Sequence, residues 1–301
     1  MRTKGRPHNP LTLVAWYACV SAIALVFLLP LLWMLSTSAK TVEQTLADPP
    51  TFLPTPLGEV PGRLLDNYVG SVNDEGLPDP RGVWTDPVVD FPLYLRNTLT
   101  VVGLSTVGMV LSSAVCAYGF SRVRWRGRTA TFTIVLATMM IPFPVLMGPL
   151  FVIFRELGWI GSFKPLWVPA WFGGAFSIFL LRQFYMTIPK ELDEAARIDG
   201  CGHFGIFWRI ILPLSKPALA VVALFHFMFV WNDFLGPLIF LRDRDQFTLA
   251  LGLQLYQSQA GNVPWNLLMG ASFLVMLPVI VVFLLTQRTF VEGVATSGLK
   301  G

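Results

Sequence analysis

The residues in this chain best suited to chemistry are few and scattered. Three histidines, His8, His203 and His226, and three cysteines, Cys19, Cys116 and Cys201, lie far apart with no ligand-like spacing. The sequence holds no HExxH helix for zinc, no GxSxG turn to expose a serine nucleophile and no GxxxxGK[ST] loop to wrap phosphates. One segment, Gly200-Cys201-Gly202-His203-Phe204-Gly205, matches the GxGxxG spacing that lets a backbone approach a pyrophosphate. That chemistry needs a β-strand before the glycines and a long helix after them. Residues 189–199 instead read as a polar helix, so no catalytic residue, metal site or cofactor is expected on the chain.

The polar helix is the most informative segment. Pro189 has a fixed φ suited to a first helical turn, and Glu191 follows where the helix dipole favours an acid. Asp193 and Arg197 stand four apart, as do Lys190 and Glu194, and each such pair is worth about 0.2–0.5 kcal/mol on a helix surface. Gly200 is a natural stop. Leu192, Ala195, Ala196 and Asp199 are expected on one face, whose two central alanines would let another surface approach the backbone closely. Beyond the glycines, Ile206, Phe207, Ile210 and Ile211 recur at helical spacing up to Pro213, and Lys216-Pro217 opens the next apolar stretch. Residues 188–217 are thus predicted as helix, turn and helix, with a docking face.

The elements that carry this segment belong in lipid. Of 301 residues, 54% are apolar and 13% charged, and mean hydropathy is +0.60. Such a chain is too apolar for an ordinary soluble domain. A bilayer core is crossed by roughly 20 apolar helical residues, and six stretches qualify: 13–35, 97–120, 131–154, 166–184, 218–240 and 267–286. The first follows Arg2, Lys4 and Arg6 but is full length and lacks a small-residue cleavage site, so it reads as a retained anchor. An even number of spans puts both termini on one side. Fourteen of the 22 Lys and Arg residues then fall on that side, which makes it cytoplasmic. The net charge of +4 sits beside spans and calls for no nucleic-acid partner. Disulfides are not expected, since two of the cysteines fall in spans and one in a cytoplasmic loop.

Residues 1–12 therefore read as a cytoplasmic N-terminus, 13–35 as a first span, 36–96 as an external loop and 288–301 as a cytoplasmic tail. The external loop is rich in Pro, Asp and Gly, with room for short helices; it reads as a partly ordered cap with a minor role in docking an external partner. Within the spans, Asn232 and Asp233 suit either helix packing near the external interface or a solute pathway or gate. His226 suits a cavity wall or a bond to a neighbouring helix. Pro142, with Pro144, Gly148 and Pro149, breaks the third span as either a gate hinge or a static kink.

The run Glu194-Ala195-Ala196-Arg197-Ile198-Asp199-Gly200, followed by Ile211-Leu212-Pro213, resembles the EAA loop of ABC importer permeases. Further patches are similar to the carbohydrate, maltose-type branch: Leu95-Arg96-Asn97-Thr98, Met140-Ile141-Pro142, Pro149-Leu150-Phe151, Trp231-Asn232-Asp233-Phe234 and the terminal Gly298-Leu299-Lys300-Gly301. The resemblance implies an all-α type I permease fold with a five-helix core over 93–287. It implies ATPase coupling through Glu194, Ala195, Ala196 and Gly200, with Asp199 a weaker transfer. It also implies a second permease subunit, two ATPase subunits that hold the ATP, an external solute-binding protein and a sugar as substrate. The alternatives are a permease for another solute, such as glycerol phosphate or peptide, and a secondary transporter.

Overall fold

The computed structural model describes residues 10–72, 78–79, 81–258 and 263–298. Arg2, Lys4, Arg6, His8 and the terminal Leu299-Lys300-Gly301 lie outside them. Apart from one antiparallel pair of two-residue strands, Ser71–Val72 with Pro78–Asp79, the regular structure is helical. The chain divides into two compact units.

One unit comprises residues 1–90 with 255–276. Its first helix, α1 (Pro10–Ser38), is apolar on every side, and its most hydrophobic 18-residue window is 0% buried within the protein. A helix that is hydrophobic all round has to be covered by lipid or by another chain. Two short α-helices follow it. Thr41 caps a single turn, α2 (Val42–Thr45), and α3 (Val60–Val69) opens with a proline in its first turn. Asn67 on α3 donates to the carbonyls of Ser38 at 2.8 Å and Lys40 at 3.0 Å, and accepts from Asn266 at 2.8 Å. Lys40 is buried with its ammonium 4.7 Å from the centre of the Trp33 ring, donates to the Thr51 carbonyl, and has its pKa lowered by desolvation. The described part of this segment thus holds short helices tied together by side-chain bonds to backbone carbonyls.

The other unit comprises residues 91–254 and 277–301. Its central pillar is α4 (Phe91–Ser121), which buries a stripe including Tyr94, Thr98, Val101, Ser105, Gly108, Ala114, Ala117 and Tyr118. Next come α5 (Arg128–Thr138), α6 (Phe143–Glu156), the single turn α7 (Lys164–Trp167), a 3₁₀ segment over Val168–Phe172, and α8 (Ala175–Thr187). Gly108 lets the 3₁₀ segment close on α4: a Cβ there would lie 2.3 Å from the Trp171 ring, whose indole donates to the Leu104 carbonyl at 3.1 Å. The chain continues through α9 (Glu191–Ile198), α10 (His203–Ile206), α11 (Leu212–Leu214), α12 (Lys216–Trp231), α13 (Leu235–Phe240) and α14 (Leu249–Gln257), to α15 (Trp265–Gly298). The last two each run across the division between units.

Four stretches among the described residues are long and apolar enough to cross a membrane: Leu11–Ser38, Phe91–Ser121, Lys164–Thr187 and Trp265–Gln287. The third predicted span is not one helix. It is α5 and α6, bent by 99° at a break where Pro142 takes an extended conformation and caps α6. A proline nitrogen cannot donate back to the preceding turn, so the break falls there. The stretch over 218–240 likewise stops at Trp231 and resumes at Leu235, and the helical run His203–Leu214 meets α12 at 76°. Counting each of the two bent pairs as one span gives six.

Candidate coupling surface

The polar segment after α8 is mounted by one arginine. Arg122, one residue past the end of α4, donates to the carbonyls of Tyr185 at 2.5 Å and Ile188 at 2.7 Å, both at the end of α8. Its other terminal nitrogen pairs with the Asp193 carboxylate on α9 at 3.2 Å, and the two side chains are only 3% and 9% exposed. A single guanidinium thus joins α4, α8 and α9. The planar fork suits this, since it points several donors in fixed directions where an ammonium could not.

Asp193 therefore does not pair with Arg197, and no ion pair forms between Lys190 and Glu194. The predicted face also changes. Positions 193 and 196, three apart, turn inward together, and Ala196 joins a buried cluster with Ala114, Ala117, Tyr118, Tyr185, Ile188 and Ile206. Glu194, Ala195, Asp199 and Gly200 are exposed, as is Leu192. One alanine thus seats the helix and the other faces out. Sequence periodicity cannot make this split, because the inward direction is set by Arg122.

Gly200 ends α9 in the left-handed region, with φ of 85°. Its N–H donates to the Arg197 carbonyl at 3.0 Å and the Cys201 N–H to the Ala196 carbonyl at 2.8 Å, the paired bonds of a Schellman stop. Nothing lies within 4 Å of where a Cβ would stand, so the backbone angle and not space demands glycine. The GxGxxG spacing that begins here joins two helices, with no strand before it.

Past the turn, Ile206 and Ile211 are fully buried in the same cluster, and the Tyr118 hydroxyl lies 3.2 Å from His203 Nδ1. Residues Phe207–Ile211 form a widened π-type turn. Pro213 cannot donate to the Arg209 carbonyl four residues back, which gives this turn a local cause. Ile198, Phe204 and Trp208 remain strongly exposed, and the last two stack with rings 9° from parallel. The result is a charged helix with an apolar flank, held rigidly from behind and open in front.

The candidate pathway residues lie on other elements: His226 on α12, Asn232 and Asp233 between α12 and α13, and Pro142 between α5 and α6. His226 Nε2 lies 2.6 Å from Ser105 Oγ, tying α12 to α4. Asp233 accepts from the Gly236 N–H at 3.0 Å and so caps α13, while Asn232 donates back to the Met228 carbonyl at 2.7 Å. Pro142 is exposed at the α5–α6 break. His226 thus bonds to a neighbouring helix, and Asn232 and Asp233 each bond to backbone within four residues of themselves. The residue that sequence reasoning missed is Arg122, counted only as one of several loop cations. A signal existed: it stands four residues after Tyr118, in line with the buried stripe of α4.

Long apolar helices carrying a rigid, outward-facing polar helix define a helical membrane transport subunit. Residues 91–294 match the family described as binding-protein-dependent transport system inner membrane component, and the chain belongs to that family. It is 35% identical over 281 residues to the trehalose/maltose transport system permease protein MalG of Thermococcus litoralis, covering 93% of this chain and 94% of that one. It is 37% identical over 208 residues to the sn-glycerol-3-phosphate transport system permease protein UgpE of Yersinia pestis, covering 69% and 74%. In fold it is similar to a chain of a bacterial ABC transporter involved in the import of the acidic polysaccharide alginate, with a TM-score of 0.75 at 22% identity over 95% of this chain and 99% of that one.

Proposed function

We propose that this chain is a transmembrane permease subunit of an ATP-driven ABC importer that brings a sugar or oligosaccharide into the cell. Family membership over residues 91–294 and the likeness to a trehalose/maltose permease along nearly the whole chain support that reading. It sits in the cell membrane with six spans and both termini cytoplasmic. The excess of Lys and Arg on one side supports that orientation, and the six apolar stretches in the sequence support the count. Its partners are a second permease, two ATPase subunits that bind and hydrolyse ATP, and an external solute-binding protein.

The observation that carries the mechanism is the mounted helix α9. Arg122 fixes its back to α4 and α8, while Glu194, Ala195, Asp199 and Gly200 face outward, and Ala196 anchors it. In this reading α9 lies in a cleft of the ATPase. Closure of the ATPase dimer pushes α9, and because one guanidinium joins three elements, the displacement passes to α4 and α8 together and exchanges the side to which the pathway opens. The helices contribute a rigid body, and ATP on the partner supplies the differential free energy that any such exchange requires.

The test is Glu194→Lys in the complex reconstituted with its ATPase. Loss of ATPase co-purification and of ATP-driven sugar uptake is expected; unchanged binding and uptake would remove α9 from the coupling role. The relation to UgpE keeps a phosphate ester in view as the solute. Lys and Arg are absent from 97–120, 131–154, 218–240 and 267–286, which favours a neutral solute. Competition of uptake by trehalose or maltose, against competition by sn-glycerol-3-phosphate, separates the two.

A further inference from the structure

The turn between α4 and α5 concentrates positive charge, and among the described residues three of its four arginines have no carboxylate beside them. Arg124, Arg126 and Arg128 follow Arg122 at alternate positions, and from 121 to 190 the sole carboxylate is Glu156, at the far end of α6. Arg122 pairs with Asp193; among the described residues no carboxylate lies within 4.0 Å of the other three. A fourth guanidinium approaches from α8. Arg182 lies over the Phe132 ring at 4.3 Å and donates to the Phe120 carbonyl at 3.3 Å.

Two of these cations, Arg124 and Arg128, line a recess. Arg124, Trp125, Gly127, Arg128, Thr129 and Ala130 line a cleft of about 320 Å³, the lower end of the small-molecule range. Trp125 is held there by its indole N–H, which donates to the Gly119 carbonyl at 3.2 Å, and by packing on Phe120, so a face of the ring stays open. On the two helices that the turn joins, Ile134, four residues after Ala130 on α5, and Val115, four residues before Gly119 on α4, are strongly exposed. A recess lined by two arginines, an anchored half-exposed indole and exposed apolar residues on the two helices that meet there together match an amphiphile with an anionic head.

We propose that this recess is a binding site for the headgroup of an anionic phospholipid, held by Arg124 and Arg128 with Trp125 beside it and the acyl chains along the exposed face of α4 and α5. A free phosphate would use the guanidiniums but gain nothing from the indole or the exposed apolar residues, which is why the lipid is favoured. The proposal rests on the reading of α4 and α5 as membrane elements. It does not depend on the solute carried or on coupling through α9, so either could fail without it.

The experiment is native mass spectrometry of the purified complex with equal amounts of phosphatidylglycerol and phosphatidylcholine, comparing the parent chain with Arg124→Gln/Arg128→Gln. Retention of phosphatidylglycerol should fall about 30-fold in the double variant, on the usual contribution of a cation at an anionic surface, while phosphatidylcholine is unchanged. Arg155→Gln, which removes an exposed arginine elsewhere, serves as the control for general charge loss and should leave both unchanged. Equal retention by parent and double variant overturns the proposal. So does displacement of the lipid by inorganic phosphate as readily as by a short-chain phosphatidylglycerol, since the site would then take a free anion. Unchanged amide exchange in α9 shows that the double variant is still folded.

Discussion

Replacing Arg122 by Met should loosen α9 while leaving the membrane helices in place. The substitution removes a buried ion pair and two bonds from a charged donor, and leaves the Asp193 carboxylate 9% exposed with no cation beside it. Breaking a buried pair from one side costs about 3–5 kcal/mol, most of it the stranded charge. Solvent screening offsets little of this, because both side chains are nearly inaccessible. The cost falls on the local opening of 188–200, so amide hydrogen exchange is the appropriate assay. At the lower figure, exchange of the α9 amides should accelerate by about 100-fold. The double variant Arg122→Met/Asp193→Leu removes both charges and should recover most of the protection, since an apolar pair of similar volume strands nothing. Protection within about threefold of the parent in the single variant would refute the mount, as would a double variant no better than the single.

Gly200→Ala must hold a side chain at φ of 85° and should destabilise the end of α9 by about 1–2 kcal/mol, read as faster exchange at Asp199 to Cys201 with α4 unaffected. Asp233→Ala removes the cap of α13 and should cost about 0.5–2 kcal/mol, seen as a lower melting temperature of the purified complex. If capping is its task, the KM for solute uptake stays unchanged in that variant; a rise in KM would place Asp233 in the pathway.

The broad class of this protein was legible before any coordinates. A bilayer demands runs of about 20 apolar residues, and that demand is one-dimensional, so 13–35 or 97–120 can be found by counting. The boundary of α9 was legible for a similar reason: proline at its start and glycine at its end act through their own backbone angles. The breaks in the third and fifth apolar stretches were harder. Pro142 announces an interruption, but whether a proline kinks a helix or bends the chain by 99° depends on what the neighbouring turns can pack against.

The direction of α9 was decided only by the fold. A short helix with charges on several sides offers two or three plausible inner faces, and local spacing ranks Asp193–Arg197 as well as any other pair. Burial reverses the ranking. At the surface an i,i+4 pair is worth a few tenths of a kcal/mol, whereas a buried carboxylate must have a cation or pay several. The cation comes from 71 residues earlier in the chain, at the end of another helix. The sequence by itself determined that a charged helix hangs between two membrane helices. Which of its alanines faces a partner is a consequence of where Arg122 arrives in space, and only the tertiary structure brings Arg122 there.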